Sequence, residues 1–202
     1  MNKGVLFIIS GPSGTGKGTV CEKLLEGNDI FLSISSTTRD KRANETDGVT
    51  YNFTTVENFE KMIDNGEMLE WAKYNGNYYG TPKTAVEKML DSGKNVILEI
   101  EPQGAFKVKE MMPEAILIFI IPPTMQMLKE RLVGRGRESE GEIENRIKSA
   151  VWELKQAPKY NFIVVNDVLE VCVNDVLNII RTANKSNESI KTLLSEAKKM
   201  GY

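Results

Sequence analysis

Residues 11–19 form a glycine-rich run, GPSGTGKGT, whose residue types and spacing suit the binding of a phosphate group. The run follows an apolar stretch from Val5 to Ile9 and precedes a helix-compatible segment from Val20 to Leu25. A strand that feeds such a turn and then a helix aims backbone N–H groups and a helix N-terminus at one anion. Lys17 adds a cation for the terminal phosphates, so the run predicts a nucleotide-phosphate site. The residues of this loop are Gly11, Pro12, Ser13, Gly14, Thr15, Gly16, Lys17, Gly18 and Thr19.

The loop departs from the usual pattern at position 18. A serine or threonine normally follows the lysine, and its hydroxyl reaches Mg²⁺. Here that position is Gly18, and the hydroxyl is moved to Thr19. This GKGT variant resembles the loops of adenylate kinases and their relatives. We therefore expect Mg²⁺ to be held through water rather than by direct ligation from the loop.

A second segment suited to phosphate, residues 35–42, combines hydroxyl side chains with arginines. Arg39 and Arg42 lie three residues apart, and paired guanidinium groups suit bidentate binding of phosphate. Taken alone, the segment is equally compatible with hydroxyls that cap a turn beside solvated arginines. Beside a phosphate loop, a phosphate clamp is the favoured interpretation.

The composition narrows the possible chemistry. The chain of 202 residues contains no histidine, which excludes histidine acid–base catalysis, histidine-activated nucleophiles and histidine-ligated metals. Phosphoryl transfer between nucleotides remains possible, because an acceptor phosphate oxygen is already anionic and needs no strong base. A formal charge of −2 gives no bulk attraction to nucleic acid or membrane. With no apolar run near the length of a membrane span, we expect a cytoplasmic protein that binds neither.

The elements that must position these residues follow from alternating apolar and helical patterns. Buried parallel strands are predicted at Val5 to Ile9, Asn95 to Ile100, Ile116 to Ile121 and Phe162 to Val165. Helices are predicted over residues 81–90, 103–111, 124–132, 142–156 and 168–182. This alternation predicts an α/β fold in which a parallel sheet is flanked by helices.

Two segments interrupt the alternation. Residues 34–79 predict an inserted mixed α+β subdomain, with a helix from Val56 to Asn65 that Thr54 and Glu57 would open as a capping box. The polar, glycine-punctuated residues 134–141 lie between two helices and suit a mobile lid. We expect a single domain with its core at 1–33, 82–133 and 159–202, the inserted subdomain at 34–81 and the lid region at 134–158.

Several motifs occur in the order and spacing of guanylate kinases. They are SSTTR at 35–39 followed by Arg42, YNF at 51–53, EWA at 70–72, NYYGT at 77–81, LEIEPQG at 98–104 and GRG at 134–136. The chain is similar to this family from about Val5 to Asp167. The resemblance implies a P-loop nucleoside monophosphate kinase fold. It also implies Mg²⁺-dependent transfer of the ATP γ-phosphoryl group to GMP, and to dGMP, in purine nucleotide metabolism.

On the acceptor side, the resemblance implies two groups of residues. The GMP phosphate would be held by Ser35, Arg39, Arg42, Tyr51 and Tyr79, and guanine would be recognised by Glu70, Thr81 and Glu101. Guanine offers N–H donors to a carboxylate and O6 to a hydroxyl, whereas adenine places a lone pair opposite the carboxylate. Two such mismatches would disfavour AMP by a factor on the order of 10² to 10⁴. Position 101 is usually Asp in the family, so the longer Glu101 either shifts the pocket or contacts guanine less directly.

On the donor side, the resemblance implies a set of catalytic cations, namely Lys17, Arg131, Arg135 and Arg146. Arginines brought in by lid closure would stabilise charge on the transferred group. Asn166 matches the family's adenine contact, although its amide could equally cap the following helix. Glu99 and Thr19 would hold Mg²⁺ through water.

Two other functions deserve comparison with this interpretation. The guanylate kinase fold also serves as a non-catalytic protein-binding module, but such a module need not keep Lys17 or the lid arginines. A kinase with a different acceptor is the third possibility, suggested by Gly18 and Glu101. The sequence favours an enzyme and leaves open whether it is a monomer or a homodimer.

Overall fold

The computed structural model describes residues 3–74, 76–134 and 140–199. The strands are β1 (Leu6–Ser10), β2 (Ile30–Leu32), β3 (Ser36–Thr37), β4 (Asn52–Phe53), β5 (Met68–Tyr74), β6 (Asn77–Pro82), β7 (Asn95–Glu99), β8 (Ile116–Ile121) and β9 (Phe162–Val165). The helices are α1 (Lys17–Leu25), α2 (Val56–Asp64), α3 (Lys83–Asp91), α4 (Pro102–Met111), α5 (Met125–Val133), α6 (Glu140–Leu154) and α7 (Leu169–Lys199), with a short 3₁₀ turn at Ala157–Lys159.

The larger sheet is parallel and has the strand order β2, β7, β1, β8, β9. Strand β1 lies at its centre and is buried along its whole length. Ile8 packs into a cluster that includes side chains of α3 and α4, whereas Ile9 packs on the other face with side chains of α1 and α7. Since helices cover both faces, the strand is continuously apolar rather than alternating.

The order of the strands fixes where a ligand can bind. From β1 the chain passes to β2 at one edge of the sheet and returns to β7, and it then crosses β1 to reach β8 and β9 on the other side. The loop after β1 therefore opens at the carboxyl edge where the winding reverses. Open α/β sheets bind their ligands in this crevice.

A smaller mixed sheet, with the order β4, β3, β6, β5, is formed by residues between 36 and 82. Strands β5 and β6 pair antiparallel, and their register places Glu70 opposite Thr81. Helix α2 packs on this sheet through the buried Phe59, whose ring stacks on Tyr78 at a centroid distance of 5.2 Å. The smaller sheet therefore brings together residues that are far apart in sequence and fixes the positions of their side chains.

The predicted α/β fold is confirmed, and most elements lie within two residues of their predicted bounds. The capping prediction for α2 is wrong: the cap is Thr55, whose side chain accepts a hydrogen bond from the Asn58 N–H. The predicted 168–182 helix continues to Lys199, and β2 is a strand that the sequence patterns did not indicate. Among the described residues, no helix combines the length and the apolarity needed to cross a bilayer.

Candidate functional site

The glycine-rich loop is a closed turn between β1 and α1. The backbone N–H and the hydroxyl of Thr15 both donate to the Pro12 carbonyl, at 3.2 and 2.8 Å. Gly16, which precedes α1, has φ +87°, and a β-carbon there would lie 2.6 Å from the amide nitrogen of Asn166. The loop therefore requires glycine at this position on two counts, backbone conformation and available space.

Lys17 is folded toward its own loop. Its ammonium donates to the Gly11 carbonyl and, at 3.1 Å, to the Pro12 carbonyl. Burial lowers the pKa of Lys17, while the nearby carboxylates, Glu99 first among them, act in the opposite direction. The cation is thus held at the mouth of the loop, where the terminal phosphates of a nucleotide would lie.

Asn166 fastens the loop to the rest of the sheet. This buried residue follows β9, and its amide nitrogen donates to the Thr15 carbonyl at 2.7 Å. Its own carbonyl accepts a hydrogen bond from Arg131 at 3.1 Å. The capping alternative for Asn166 is wrong, because α7 begins at Leu169 and its cap position is Val168, two residues after Asn166.

Two of the predicted lid arginines lie at the loop. Arg131, on α5, is held by the Asn166 carbonyl, and Arg146, on α6, donates to the Ser13 hydroxyl. The third, Arg135, lies outside the described residues. The structure thus brings arginines from two helices to the same loop as Lys17.

Glu99, the last residue of β7, faces the start of α1. A β-carbon at Gly18 would lie 3.8 Å from its carboxylate, so a side chain at that position would have room beside Glu99. Glu99 is accessible from the cavity but surrounded by protein, and this burial raises its pKa while Lys17 opposes the rise. Thr19 is exposed one residue further along α1.

The donor set fits a magnesium ion held through water. No group of three or more His, Cys, Asp or Glu side chains within residues 3–74, 76–134 and 140–199 could hold a metal by itself. Mg²⁺ usually keeps several waters and takes one or two carboxylates together with substrate phosphates. One carboxylate, Glu99, beside a phosphate loop matches that requirement.

A cavity of about 420 Å³ joins the loop to the inserted segment. The side chains that line it include Lys17, Ser35, Tyr51, Glu99, Glu101 and Glu153. Its size lies within the range of pockets that hold small molecules. Residues at the carboxyl edge of the larger sheet and residues of the inserted segment therefore face one cavity.

Glu153 is a cavity residue that sequence reasoning missed. Burial raises its pKa to about 7, Lys17 and Arg146 oppose the rise, and Glu101 adds to it. The signal was present in the spacing, since Arg146 and Glu153 lie seven residues apart and so share one face of α6. The sequence does not show which element packs against this face, so the spacing is equally compatible with the solvent-exposed face of a charged helix.

The predicted phosphate clamp gathers around Arg39. Its guanidinium carbon lies 5.6 Å from the ring centroid of Tyr51, and the Tyr51 and Tyr79 rings meet edge-on at 6.1 Å. Ser35 and Tyr51 line the cavity, whereas the side chain of Arg42 is exposed. Of the predicted clamp residues, Ser35 and Tyr51 therefore line the main cavity, whereas Arg39 lies beside Tyr51 and lines a second pocket.

The predicted base-recognising residues form a buried pair. Thr81 donates from its hydroxyl to the Glu70 carboxylate at 2.7 Å, and both residues are under 9% exposed. Burial raises the pKa of Glu70, and the hydrogen bond from Thr81 opposes the rise. Glu101, at the cap of α4, is exposed on the cavity wall. Neither residue lines the main cavity, so the pair is a buried carboxylate and hydroxyl that are already bonded to each other.

Gly104 leaves the space that Glu70 occupies. A β-carbon at this position in the first turn of α4 would lie 2.8 Å from the Glu70 carboxylate. Sequence reasoning included Gly104 in a motif but did not find this steric role. This short distance depends on the packing of β5 against α4, which the sequence does not show.

Comparisons with known proteins agree with one another. The family model "Guanylate kinase" matches residues 3–183. A guanylate kinase from Clostridium perfringens is 51% identical over 98% of this chain and 92% of its own length, and one from Clostridium tetani is 51% identical over 95% and 92%. The crystal structure of a guanylate kinase from Anaplasma phagocytophilum has a TM-score of 0.74 at 36% identity, covering 90% of this chain and 87% of that one.

Proposed function

The chain belongs to the guanylate kinase family and uses ATP to phosphorylate GMP, and we propose that the two nucleotides meet in its main cavity. The observation that carries this proposal is that Lys17 of the phosphate loop and Tyr51 of the inserted segment line the same cavity of about 420 Å³. A donor and an acceptor held in one enclosed space react in an effectively unimolecular step.

The donor side binds the phosphates of ATP. Backbone N–H groups of the loop from Gly11 to Thr19 cradle the β- and γ-phosphates, and Lys17 exchanges its loop carbonyls for phosphate oxygens. Arg131 and Arg146 stabilise the charge that spreads over the transferred group, with Arg135 joining them from the lid. Asn166 contacts adenine, a role supported by its position against the loop, where its amide nitrogen donates to the Thr15 carbonyl.

The acceptor side binds GMP by both ends. Ser35, Arg39, Arg42, Tyr51 and Tyr79 hold the phosphate. Glu70 accepts N–H donors of guanine, and the Thr81 hydroxyl turns from Glu70 toward O6. The acceptor oxygen carries negative charge already, so positioning it in line with the γ-phosphate replaces a general base.

Mg²⁺ supplies charge neutralisation on the phosphates when it is bound. Glu99 and Thr19 hold its waters, because Gly18 offers no hydroxyl and Glu99 faces the start of α1. Glu101 contributes to guanine recognition from the cavity wall. The protein acts in the cytoplasm, as a monomer or a homodimer, without a nucleic-acid or membrane partner.

The test is a coupled assay that offers Mg·ATP with GMP, dGMP, AMP, CMP or UMP in separate reactions. We expect GMP to be the fastest acceptor and dGMP to be turned over, since the proposed contacts are to the base and the phosphate. An absence of turnover with GMP would overturn the proposed function. Faster turnover of AMP would overturn the assignment of Glu70 and Thr81 as guanine-recognising residues.

A further inference from the structure

Arg39 is held in place by a carboxylate that no motif singled out. Its two terminal nitrogens donate to the two oxygens of Glu45, at 3.0 and 2.7 Å. The two side chains are only 17% and 10% exposed. This is the fork-to-fork geometry in which arginine binds carboxylates most specifically.

The same carboxylate also fixes the backbone of the second clamp arginine. The Arg42 N–H donates to Glu45 at 2.8 Å, and the Glu45 N–H donates to the Arg42 carbonyl at 3.1 Å. The hydrogen bond from Arg39, followed by that from the Arg42 N–H, lowers the pKa of Glu45 to about 2. Glu45 therefore stays ionised at neutral pH, where its carboxylate holds the side chain of Arg39 and the backbone of Arg42.

The hydrogen bonds leave one edge of the Arg39 guanidinium for a ligand. The nitrogen Nη1 also donates to the Asp40 carbonyl at 2.7 Å, so both of its hydrogens are used. Tyr79, itself a proposed phosphate ligand, makes a further side-chain hydrogen bond with this guanidinium. Nε and the neighbouring Nη2 form a planar edge that can bind two oxygens of a phosphate at once.

The surroundings hold the plane of this group as well as its position. The guanidinium carbon lies 5.6 Å from the Tyr51 ring centroid and 5.8 Å from that of Phe53. Tyr79 lies close enough to raise the pKa of Arg39 further, after the larger effect of Glu45. Two of the proposed phosphate ligands thus flank the same guanidinium.

We propose that Glu45 is a positioning residue of the acceptor phosphate site, which preorganises the guanidinium of Arg39 and the backbone of Arg42 for a phosphomonoester before that ligand arrives. This inference rests on the proposed function, in which the two arginines bind the GMP phosphate. An arginine already ordered by the fold need not be ordered by the ligand, and that difference appears as affinity. In the competing arrangement, Glu45 holds Arg39 away from the phosphate, and removal of Glu45 would then increase the affinity for the phosphate ligand.

The experiment compares ligands with and without a phosphate. Binding of GMP and of guanosine is measured by calorimetry for the wild type, Glu45→Ala and Glu45→Gln. We expect Glu45→Ala to weaken GMP about tenfold and to leave guanosine and the KM for ATP within about twofold. Glu45→Gln should be intermediate, because the amide oxygen still accepts one hydrogen bond from Arg39.

Two further variants separate the possible outcomes. Glu57→Ala removes an exposed pair with Lys61, at 2.8 Å, and should leave both affinities unchanged. Adding Glu45→Ala to Arg39→Ala should weaken GMP less than twofold beyond Arg39→Ala alone, since the two residues act through one contact.

Unchanged or tighter GMP binding by Glu45→Ala, with the usual loss in Arg39→Ala, would overturn the role of Glu45 alone. Equal losses of GMP and guanosine would also overturn it, because they would show a disturbed subdomain rather than a lost phosphate contact. GMP binding that survives Arg39→Ala would overturn the phosphate clamp of the proposed function.

Discussion

The two proposed phosphate sites of this chain are built from different parts of the polypeptide. The donor loop relies on backbone groups, with Gly16 in a left-handed conformation beside Asn166 and Thr15 closing the turn. The acceptor site relies on long side chains, and Glu45 and Tyr51 hold Arg39 in place. A backbone cradle has no room for a side chain, whereas a side-chain clamp can be weakened in steps. We therefore expect substitutions in the loop to abolish activity and those in the acceptor site to change single ligand affinities.

The largest effect is expected from Gly16→Ala. The new β-carbon would lie 2.6 Å from the Asn166 amide, in a backbone conformation that costs about 1 to 2 kcal/mol for an L-residue. We expect kcat/KM for ATP to fall by about 10³-fold, because the cradle for the phosphates can no longer close. Steady-state kinetics with saturating GMP measure this change.

Gly27→Ala is the matched control for that prediction. Gly27 also has a positive φ, +70°, but a β-carbon there would meet nothing within 4 Å. It should lower the unfolding temperature without changing kcat/KM. Near-normal activity in Gly16→Ala would show that the loop is more adaptable than its contacts indicate.

A smaller and ligand-specific effect is expected from Glu70→Gln. The carboxylate becomes an amide whose nitrogen faces the guanine N–H donors, so a charge-assisted hydrogen bond is lost. The KM for GMP should rise by about 10 to 10², while the KM for ATP stays within about twofold. Separate titrations of the two substrates check this, and equal effects on both would contradict a role in base recognition.

Gly104→Ala should produce a weaker version of the same change. Its β-carbon would lie 2.8 Å from the Glu70 carboxylate and push it from its place beside Thr81, although alanine favours the helix itself. We expect the KM for GMP to rise by about tenfold with no loss of thermal stability. Gly141→Ala, in helix α6 with nothing within 4 Å, is the control. If both variants have normal KM values, Glu70 does not depend on the space at position 104.

The smallest effect is a change in pH dependence at Glu153. Burial raises the pKa of this residue from its usual 4.5 to about 7, so the folded protein binds its proton more tightly than the unfolded chain does. This contribution to stability is present below about pH 4.5 and is lost as the pH rises through 7. Glu153→Gln cannot ionise and should unfold about 1 to 3 °C higher than the wild type at pH 8, with a smaller difference at pH 5. Parallel unfolding temperatures across this range would show that Glu153 is not desolvated in the folded state.

The elements that the sequence predicts well are those with strong local patterns. Strand β8 is a run of apolar residues buried on both faces, and its predicted bounds are those observed. Strand β2 was missed because it has three half-buried residues and joins the sheet through β7, which lies far away in sequence. The cap of α2 was placed one residue early because two threonines, Thr54 and Thr55, are adjacent and only the backbone geometry distinguishes them.

The candidate site divides in the same way. Motif positions such as Lys17 and Glu70 could be named from the sequence because their spacing is characteristic. Glu45, Gly104 and Glu153 could not, since each acts through a contact between elements far apart in the chain or through a loop of irregular shape. Charged residues are common on surfaces, and only packing shows which of them are turned toward a cavity.

The hydrogen bond between Thr81 and Glu70 has a consequence for the fidelity of this kinase. Because the pair is already satisfied in the free protein, an incoming base must break a buried bond before it forms any of its own. Guanine would form several hydrogen bonds, from its N–H groups to Glu70 and from Thr81 to O6, in place of the one between Thr81 and Glu70. Adenine would displace that hydrogen bond and leave the carboxylate without a donor. Under the proposed roles of Glu70 and Thr81, base selection therefore works as an exchange of hydrogen-bond partners, and an incorrect nucleotide is rejected because it cannot replace the hydrogen bond that the two residues make with each other.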